Sequence, residues 1–169
     1  MGAAALPAVV VTFALDLVVL GGVWLALRPG RADIRSKDDL DRLRHGGRPV
    51  VVELYSNFCL ICMSNRRASK IAATTLRGTA KVVRLELPTK AGSAIGDAYG
   101  ARYTPSYLVF DEHGDLVRSV VPDNVTPLAN GYRVLDGQGA IVSRAQRITP
   151  ALLVSLVRGP AELAAALQE

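Results

Sequence analysis

Val50-Val51-Val52-Glu53-Leu54-Tyr55 is a short, mostly apolar run, and the polar turn after it delivers Cys59 and Cys62, the only two cysteines in the chain. A continuous apolar run of that length suits a strand buried on both faces. From Cys59 to Leu76 the composition is helical, with neither Pro nor Gly. The stretch therefore predicts a buried strand handing over to a helix, with Cys59 at the helix start and Cys62 one turn inside. Residues three apart share a helix face, so the two sulfurs can close a small disulfide. Unpaired N–H groups and the positive dipole end at a helix start favour a thiolate at the first cysteine. A CxxC pair also occurs in zinc and copper sites, so its surroundings decide its meaning.

A second feature is as legible. Ala3 to Leu27 is almost wholly apolar, interrupted by Thr12, Asp16 and a few Gly and Pro. About 20 such residues span a bilayer as a helix, so residues 1–27 are expected to be a transmembrane anchor, with residues 3–27 in the bilayer. Trp24 near the end fits an interfacial position. A cleaved signal peptide is the main rival. Against it, no basic residue precedes the stretch, the stretch is long, and no small-x-small site precedes Arg28. Asp16 in mid-span costs about 2.5–3.5 kcal/mol on insertion scales, which a long apolar stretch can absorb. It is either a tolerated carboxyl or a contact with a partner membrane helix.

All 20 Lys and Arg, and all but one of the 15 Asp and Glu, lie after residue 27. Arg28, Arg31, Arg35 and Lys37 directly follow the span, which by the positive-inside rule argues for a cytoplasmic domain. The arginines are scattered, without a run interleaved with aromatics. That argues against a nucleic-acid face and for an anionic membrane surface or acidic partners. Two cysteines are too few for a disulfide-rich scaffold and do not fix the compartment.

The 169 residues have room for one domain plus extras. Residues 28–35 read as a basic linker and residues 36–169 as the domain. Ser36-Lys37-Asp38-Asp39 resembles a capping box and opens a helix to about Arg44. Gly46-Gly47 stops it, and Pro49 precedes the buried strand. Ala80 to Leu87 reads as a strand, Ser93 to Tyr99 as a short helix closed by Gly100. After Thr104-Pro105 comes a strand to Asp111, and Glu112-His113-Gly114 turns the chain into Leu116–Val121. A loop with Pro122, Asn124, Pro127 and Asn130-Gly131 follows. Then Tyr132-x-Val134-x-Asp136-x-x-Gly139-x-Ile141-Val142 repeats the pattern Tyr107-x-Val109-x-Asp111-x-x-Gly114-x-Leu116-Val117. The repeat predicts two similar β-hairpins in series, the extra one spanning about residues 131–145. Thr149-Pro150 opens a last helix, broken at Gly159-Pro160 and resumed to Gln168. Strand-helix-strand passages imply a parallel core, and hairpins add antiparallel edges.

Pro49 to Cys59, Tyr103-Thr104-Pro105-Ser106 and Phe110-Asp111-x-x-Gly114 together resemble the thioredoxin superfamily. The resemblance covers about Arg48 to Val121 and extends to the last helix. It implies an α/β, thioredoxin-like three-layer fold with a mixed β-sheet, to which this chain adds an N-terminal transmembrane helix and the extra β-hairpin. It also implies a thiol–disulfide oxidoreductase that exchanges dithiol for disulfide at Cys59-Leu60-Ile61-Cys62. Cys59 resembles the solvent-facing nucleophile with a lowered pKa, and Cys62 the buried cysteine that resolves the mixed disulfide. Glu53, six positions before Cys59, stands where the family keeps a buried acid. Desolvation should raise its pKa and let it relay the proton Cys62 loses. Arg84 falls near that acid and could instead hold Glu53 ionised.

Thr104-Pro105 matches the loop whose cis-proline faces the disulfide in the family. Proline has no N–H, and the Thr104 backbone could then pair with a substrate strand. A trans-proline at the first position of a strand is the ordinary alternative. Phe58 stands in place of the family's usual Trp as an apolar shield beside Cys59. Tyr55 and Tyr103 either flank the groove or pack in the core.

The chain also departs from the pattern. Leu60-Ile61 between the cysteines, and Met63 after them, offer no His or basic residue to stabilise a thiolate further. They predict a weak oxidant with an apolar protein partner. His45 and His113 sit in turns and carry no assigned chemistry. No metal or organic cofactor is implied. Expected partners are proteins bearing disulfides or thiols, a membrane or soluble redox partner, and the bilayer. Membrane-anchored relatives mostly place the domain outside the cytoplasm, against the basic flank. Two other readings compete: a soft-metal (copper) chaperone using Cys59, Cys62 and Met63, and a redox-switched docking module on a thioredoxin fold.

Overall fold

The computed structural model describes residues 5–27, 31–123 and 131–167. Arg28, Pro29-Gly30, the loop positions Asn124, Pro127 and Asn130, and Gln168 lie outside them. The first helix, α1 (Ala5–Leu27), is long and apolar enough to cross a membrane, and its Val9–Ala26 window is wholly exposed. The rest of the chain runs α2 (Lys37–Arg44), β1 (Val50–Tyr55), α3 (Leu60–Thr75), β2 (Lys81–Glu86), α4 (Lys90–Ala98), β3 (Ser106–Phe110), β4 (Leu116–Pro122), β5 (Tyr132–Asp136), β6 (Ile141–Ala145), α5 (Pro150–Arg158) and α6 (Pro160–Ala166).

The strands form one six-stranded sheet in the order β2-β1-β3-β4-β5-β6. β1 is parallel to β2, as a strand-helix-strand passage requires, and every other pairing is antiparallel. Every residue of β1 is buried, because helices cover both faces of the sheet. Alternation along β1 divides the core in two. Val51 points to the side where Ala72 of α3 and Leu76, its C-cap, meet Leu152, Leu153 and Leu156 of α5. Val50, Val52 and Leu54 point to the side of Leu40 on α2 and Ile95 on α4. The architecture is a three-layer α/β sandwich around a mixed sheet.

Local chemistry sets the helix ends. Ser36 Oγ accepts from Asp39 N–H at 3.1 Å, while Asp39 Oδ2 accepts from Ser36 N–H at 3.0 Å, so Asp closes the capping box in place of Glu. α4 begins earlier than the Ser93 that composition suggests. Thr89 Oγ1 accepts from Gly92 N–H at 3.0 Å and caps a helix from Lys90. α5 is capped the same way by Thr149, with Pro150 in its first turn, and Gly159 at φ 128° separates it from α6.

The repeated pattern is a repeated structure. Asp111 Oδ1 accepts from His113 N–H and Asp115 N–H, at 3.0 and 2.9 Å. Asp136 Oδ1 accepts from Gln138 N–H and Ala140 N–H at the same distances. Gly114 and Gly139 turn the two hairpins at φ 88° and 85°. β5 pairs with β4, so the second hairpin extends the sheet, and β6 is its outer edge. At the other edge, Ile34 within the basic stretch after the span is buried and bridges Leu85 in parallel. Asp33 N–H and Ile34 N–H both reach Arg84 O.

Candidate active site

The turn between β1 and α3 is built from short local bonds. Ser56 Oγ accepts from Phe58 N–H at 3.2 Å, and Ser56 O accepts from Cys59 N–H at 3.2 Å. This turn leaves Cys59 as the N-cap of α3, in extended backbone, with Cys62 in the first turn. Cys59 and Cys62 are joined as a disulfide with their Cα atoms 5.2 Å apart. Cys59 is half-buried and Cys62 is 1% exposed. Cys62 N–H points at Cys59 Sγ at 3.1 Å, an open helix-start donor aimed at the outer sulfur. A thiolate formed there on reduction meets that donor and the positive end of α3.

Thr104-Pro105 is a cis peptide at the entry to β3, and Pro105 is buried. The Thr104 carbonyl oxygen lies 3.8 Å from Cys59 Sγ. The loop and the outer sulfur thus face each other across the end of the sheet. Phe58 and Leu60, either side of Cys59 in sequence, are 79% and 77% exposed. Tyr103 is half-exposed, whereas Tyr55 is fully buried.

Glu53 lies under this surface, 1% exposed. Its strand neighbours are Arg84 on β2 and Tyr107 on β3. Arg84 Nε donates to Glu53 Oε2 at 3.0 Å, and Ser69 Oγ of α3 donates to Oε1 at 3.1 Å. Ser69 Oγ also lies 3.1 Å from the Tyr107 hydroxyl. Burial pushes the Glu53 carboxyl above its ordinary range, and the Arg84 guanidinium and the Ser69 hydroxyl pull against that rise. Burial pushes the Tyr107 phenol up as well. Arg84 in turn lies over the Tyr55 ring, 4.0 Å from its centroid. A cavity of about 120 Å³ beside Glu53 is lined by Asp33, Arg66, Ser69, Lys70 and Arg84.

The structure therefore brings Cys59, Cys62, Thr104, Pro105 and Phe58 to one end of the sheet, with Glu53 beneath α3. The sequence pattern did not announce Ser69 or Tyr107 as partners of Glu53. Ser69 lies two turns after Cys62 on the buried face of α3, which was the one available signal. Among the described residues, no group of three or more His, Cys, Asp and Glu side chains converges, so the two sulfurs have no third such ligand for a metal.

One strand order decides the fold: a central strand parallel to the next strand, antiparallel to the hairpin, with the disulfide where it passes into α3. The fold is thioredoxin-like. No family model and no curated protein matches the sequence. Solved structures similar to it include a mutant thioredoxin from Halobacterium salinarum, with 22% identity and a TM-score of 0.45 over 54% of this chain and 77% of that one. A thioredoxin of Plasmodium falciparum aligns at 14% identity and 0.47, over 54% of this chain and 85% of its own. Mitochondrial thioredoxin 3 of Saccharomyces cerevisiae aligns at 11% and 0.47, over 52% and 79%. These likenesses are too low to carry an argument about this thioredoxin-like chain; its strand order and helix-start disulfide do.

Proposed function

We propose that this protein is a membrane-anchored thiol–disulfide oxidoreductase acting on protein disulfides. The observation that carries the reading is the disulfide at the N-terminus of α3 with the Thr104 carbonyl 3.8 Å from its outer sulfur. In the dithiol form, Cys59 thiolate attacks a substrate disulfide, forms a mixed disulfide and releases one substrate thiolate, which takes up a proton. Cys62 then loses its proton, attacks Cys59 Sγ and releases the second substrate thiol. Two electrons pass to the substrate, and the Cys59–Cys62 disulfide is returned to the dithiol by a protein dithiol.

Glu53 is the base for the proton of Cys62, supported by its burial, its raised pKa and its place on the strand face toward α3. Thr104 and Pro105 receive the substrate backbone, and Phe58 shields Cys59 from water. The α1 helix supplies the anchor. The domain stands outside the cytoplasm, where the resemblance puts such domains, despite Arg31, Arg35 and Lys37 after the span.

Cysteine variants test the exchange. Cys62→Ser should accumulate mixed disulfides with partner proteins on non-reducing gels, whereas Cys59→Ser should not. Equal trapping by the two variants overturns the roles, and no trapping by either overturns the activity. For the side of the membrane, a membrane-impermeant maleimide should label reduced Cys59 in intact cells. Labelling only after permeabilisation places the domain in the cytoplasm.

A further inference from the structure

The end of the apolar helix is not remote from the disulfide. Trp24 of α1 stacks on Phe58, with ring centroids 6.1 Å apart and planes 30° from parallel. Arg66 of α3 donates through Nη1 to Ala26 O at 3.5 Å, one of the carbonyls a helix C-terminus leaves open. Trp24 lies two residues before the end of the apolar window, so it stands about 3 Å along the helix axis from the window's last residue. Tryptophan settles at that level, where its ring meets hydrocarbon and its N–H meets water. Phe58 is held at the same level by the stack, and Cys59 is the next residue.

Two further observations fit a site that faces lipid headgroups. Phe58 and Leu60, the side chains flanking Cys59, are left 79% and 77% exposed, which water disfavours and a bilayer interface accepts. Cations are also exposed on this side, Arg67 and Lys70 on α3 and Arg31 and Arg35 after the span, interspersed with Asp33 and Glu86. Such cations are attracted to anionic lipid.

We propose that the Cys59–Cys62 site is held at the lipid–water interface and serves cysteine pairs lying at that same depth on membrane proteins. The inference rests on the reading of α1 as an anchor and of the cysteine pair as a dithiol exchanger. A partner of this kind approaches sideways in the membrane plane, its apolar flank covering Phe58 and Leu60. A soluble protein, or a cysteine pair raised on a stalk, would have to reach under the domain.

The test uses the full chain, reduced in advance and held in nanodiscs of phosphatidylcholine and phosphatidylglycerol. Two lipidated peptides carry the same disulfide. In one the pair lies next to the lipid; in the other a helical spacer of about 20 residues lifts it about 30 Å. Both are tethered, so only the height differs, and single-turnover reduction of the near pair should be faster by at least about tenfold. Trp24→Ala should shrink that ratio, and Trp24→Phe, which can still stack, should keep most of it. Equal rates for the two peptides, or a faster lifted one, overturn the inference, as does reduction of soluble insulin with neither peptide reduced. If insulin and both peptides all stay oxidised, the underlying reading as an exchanger falls instead.

Discussion

Arg84 Nε lies 3.0 Å from Glu53 Oε2, a charge contact between neighbouring strands in which the acid is fully buried and the base partly exposed. The pair bears on the two roles the sequence offers for Glu53, a proton relay or a carboxylate pinned by Arg84. Two opposing influences act on the carboxyl. Burial is the largest influence and raises the carboxyl, and Arg84 is the next and lowers it, with the rise prevailing. On the proposed reading, a carboxylate so placed picks up a proton more readily than an exposed glutamate yet keeps a cation to return to. Glu53→Gln should slow resolution of the mixed disulfide on the order of a hundredfold, the scale of lost general-base assistance. Stopped-flow release of a Cys59-linked peptide measures it. The wild-type rate should fall as pH drops through the raised pKa, and the variant should lose that inflection.

The same group makes a stability prediction of definite sign. Its folded pKa lies above the ordinary 4.5, so over the interval between the two values the folded chain holds more of this proton than the unfolded chain. The contribution is therefore complete below 4.5 and is lost as pH rises through the folded value. Denaturant melts of wild type and Glu53→Gln across that interval should converge or cross, with the wild type losing ground as pH rises. Each tenfold difference in proton affinity corresponds to about 1.4 kcal/mol. Arg84→Met removes the opposing cation, so it should widen the interval and cost on the order of 3 kcal/mol above it. A wild-type curve that gains on Glu53→Gln with rising pH would contradict the sign.

Much of this arrangement is legible in the amino-acid sequence. The all-buried β1 is a run that is apolar but for Glu53, and Cys59 falls at the helix start because Ser56 and Asn57 are turn-forming residues. The two hairpins shared Asp and Gly at equal spacing, since one Asp oxygen must reach two backbone N–H groups and the turn needs a positive φ. Other features were hidden because they join residues far apart in sequence. Ile34 docks on β2 from inside a stretch whose composition is that of a linker. Trp24 meets Phe58 only because the last turn of α1 lies against the β1–α3 turn. The early start of α4 is hidden for a local reason: Thr89 caps it without the Glu or Gln that completes a capping box, and Pro88 just before looks like a break.

Asp111 gives the opposite pH signature to Glu53. The Asp115 N–H is the main cause holding its carboxyl below the ordinary 3.8, with His113 N–H adding to it. A lowered acid contributes stability that is present above 3.8 and is lost as pH falls through the folded value. Thermal melts should show wild type losing stability on the acid side, and Asp111→Asn should flatten that loss while lowering Tm near neutrality. Unchanged acid sensitivity in Asp111→Asn would mean the turn does not depend on its charge.

The anchor can be tested on the intact chain. Asp16 is the single charge on an exposed apolar helix, and its cost is tolerable alone. Wild type should remain in the membrane pellet after alkaline carbonate. Leu15→Arg combined with Val19→Arg adds about 6 kcal/mol at mid-span and should release the protein to the supernatant. Wild type released by carbonate would remove α1 as a span.

Gly92 tests whether the α4 layer is as tightly set as its contacts indicate. The residue is buried in the first turn of α4, where that helix crosses the end of β2. A Cβ at this position would meet Glu86 O, and Leu87 Cα and O at 2.8 Å each. All three are backbone atoms, so no side-chain rotation relieves the clash, and α4 must move off the sheet. Alanine favours a helix over glycine by about 1 kcal/mol, which would make Gly92→Ala stabilising if space were free. Overpacking typically costs about 1–3 kcal/mol, and here the obstacle is rigid, so the steric effect should win and Gly92→Ala should lower stability. Gly78 supplies a contrast: nothing lies within 4 Å of its Cβ position, but its φ of 96° penalises a side chain through the backbone alone. Denaturant melts of the two alanine variants separate the mechanisms. Gly78→Ala should leave amide exchange on α4 unchanged, while Gly92→Ala should accelerate it around Ile95 and Gly96, whose packing against the sheet depends on where the first turn sits.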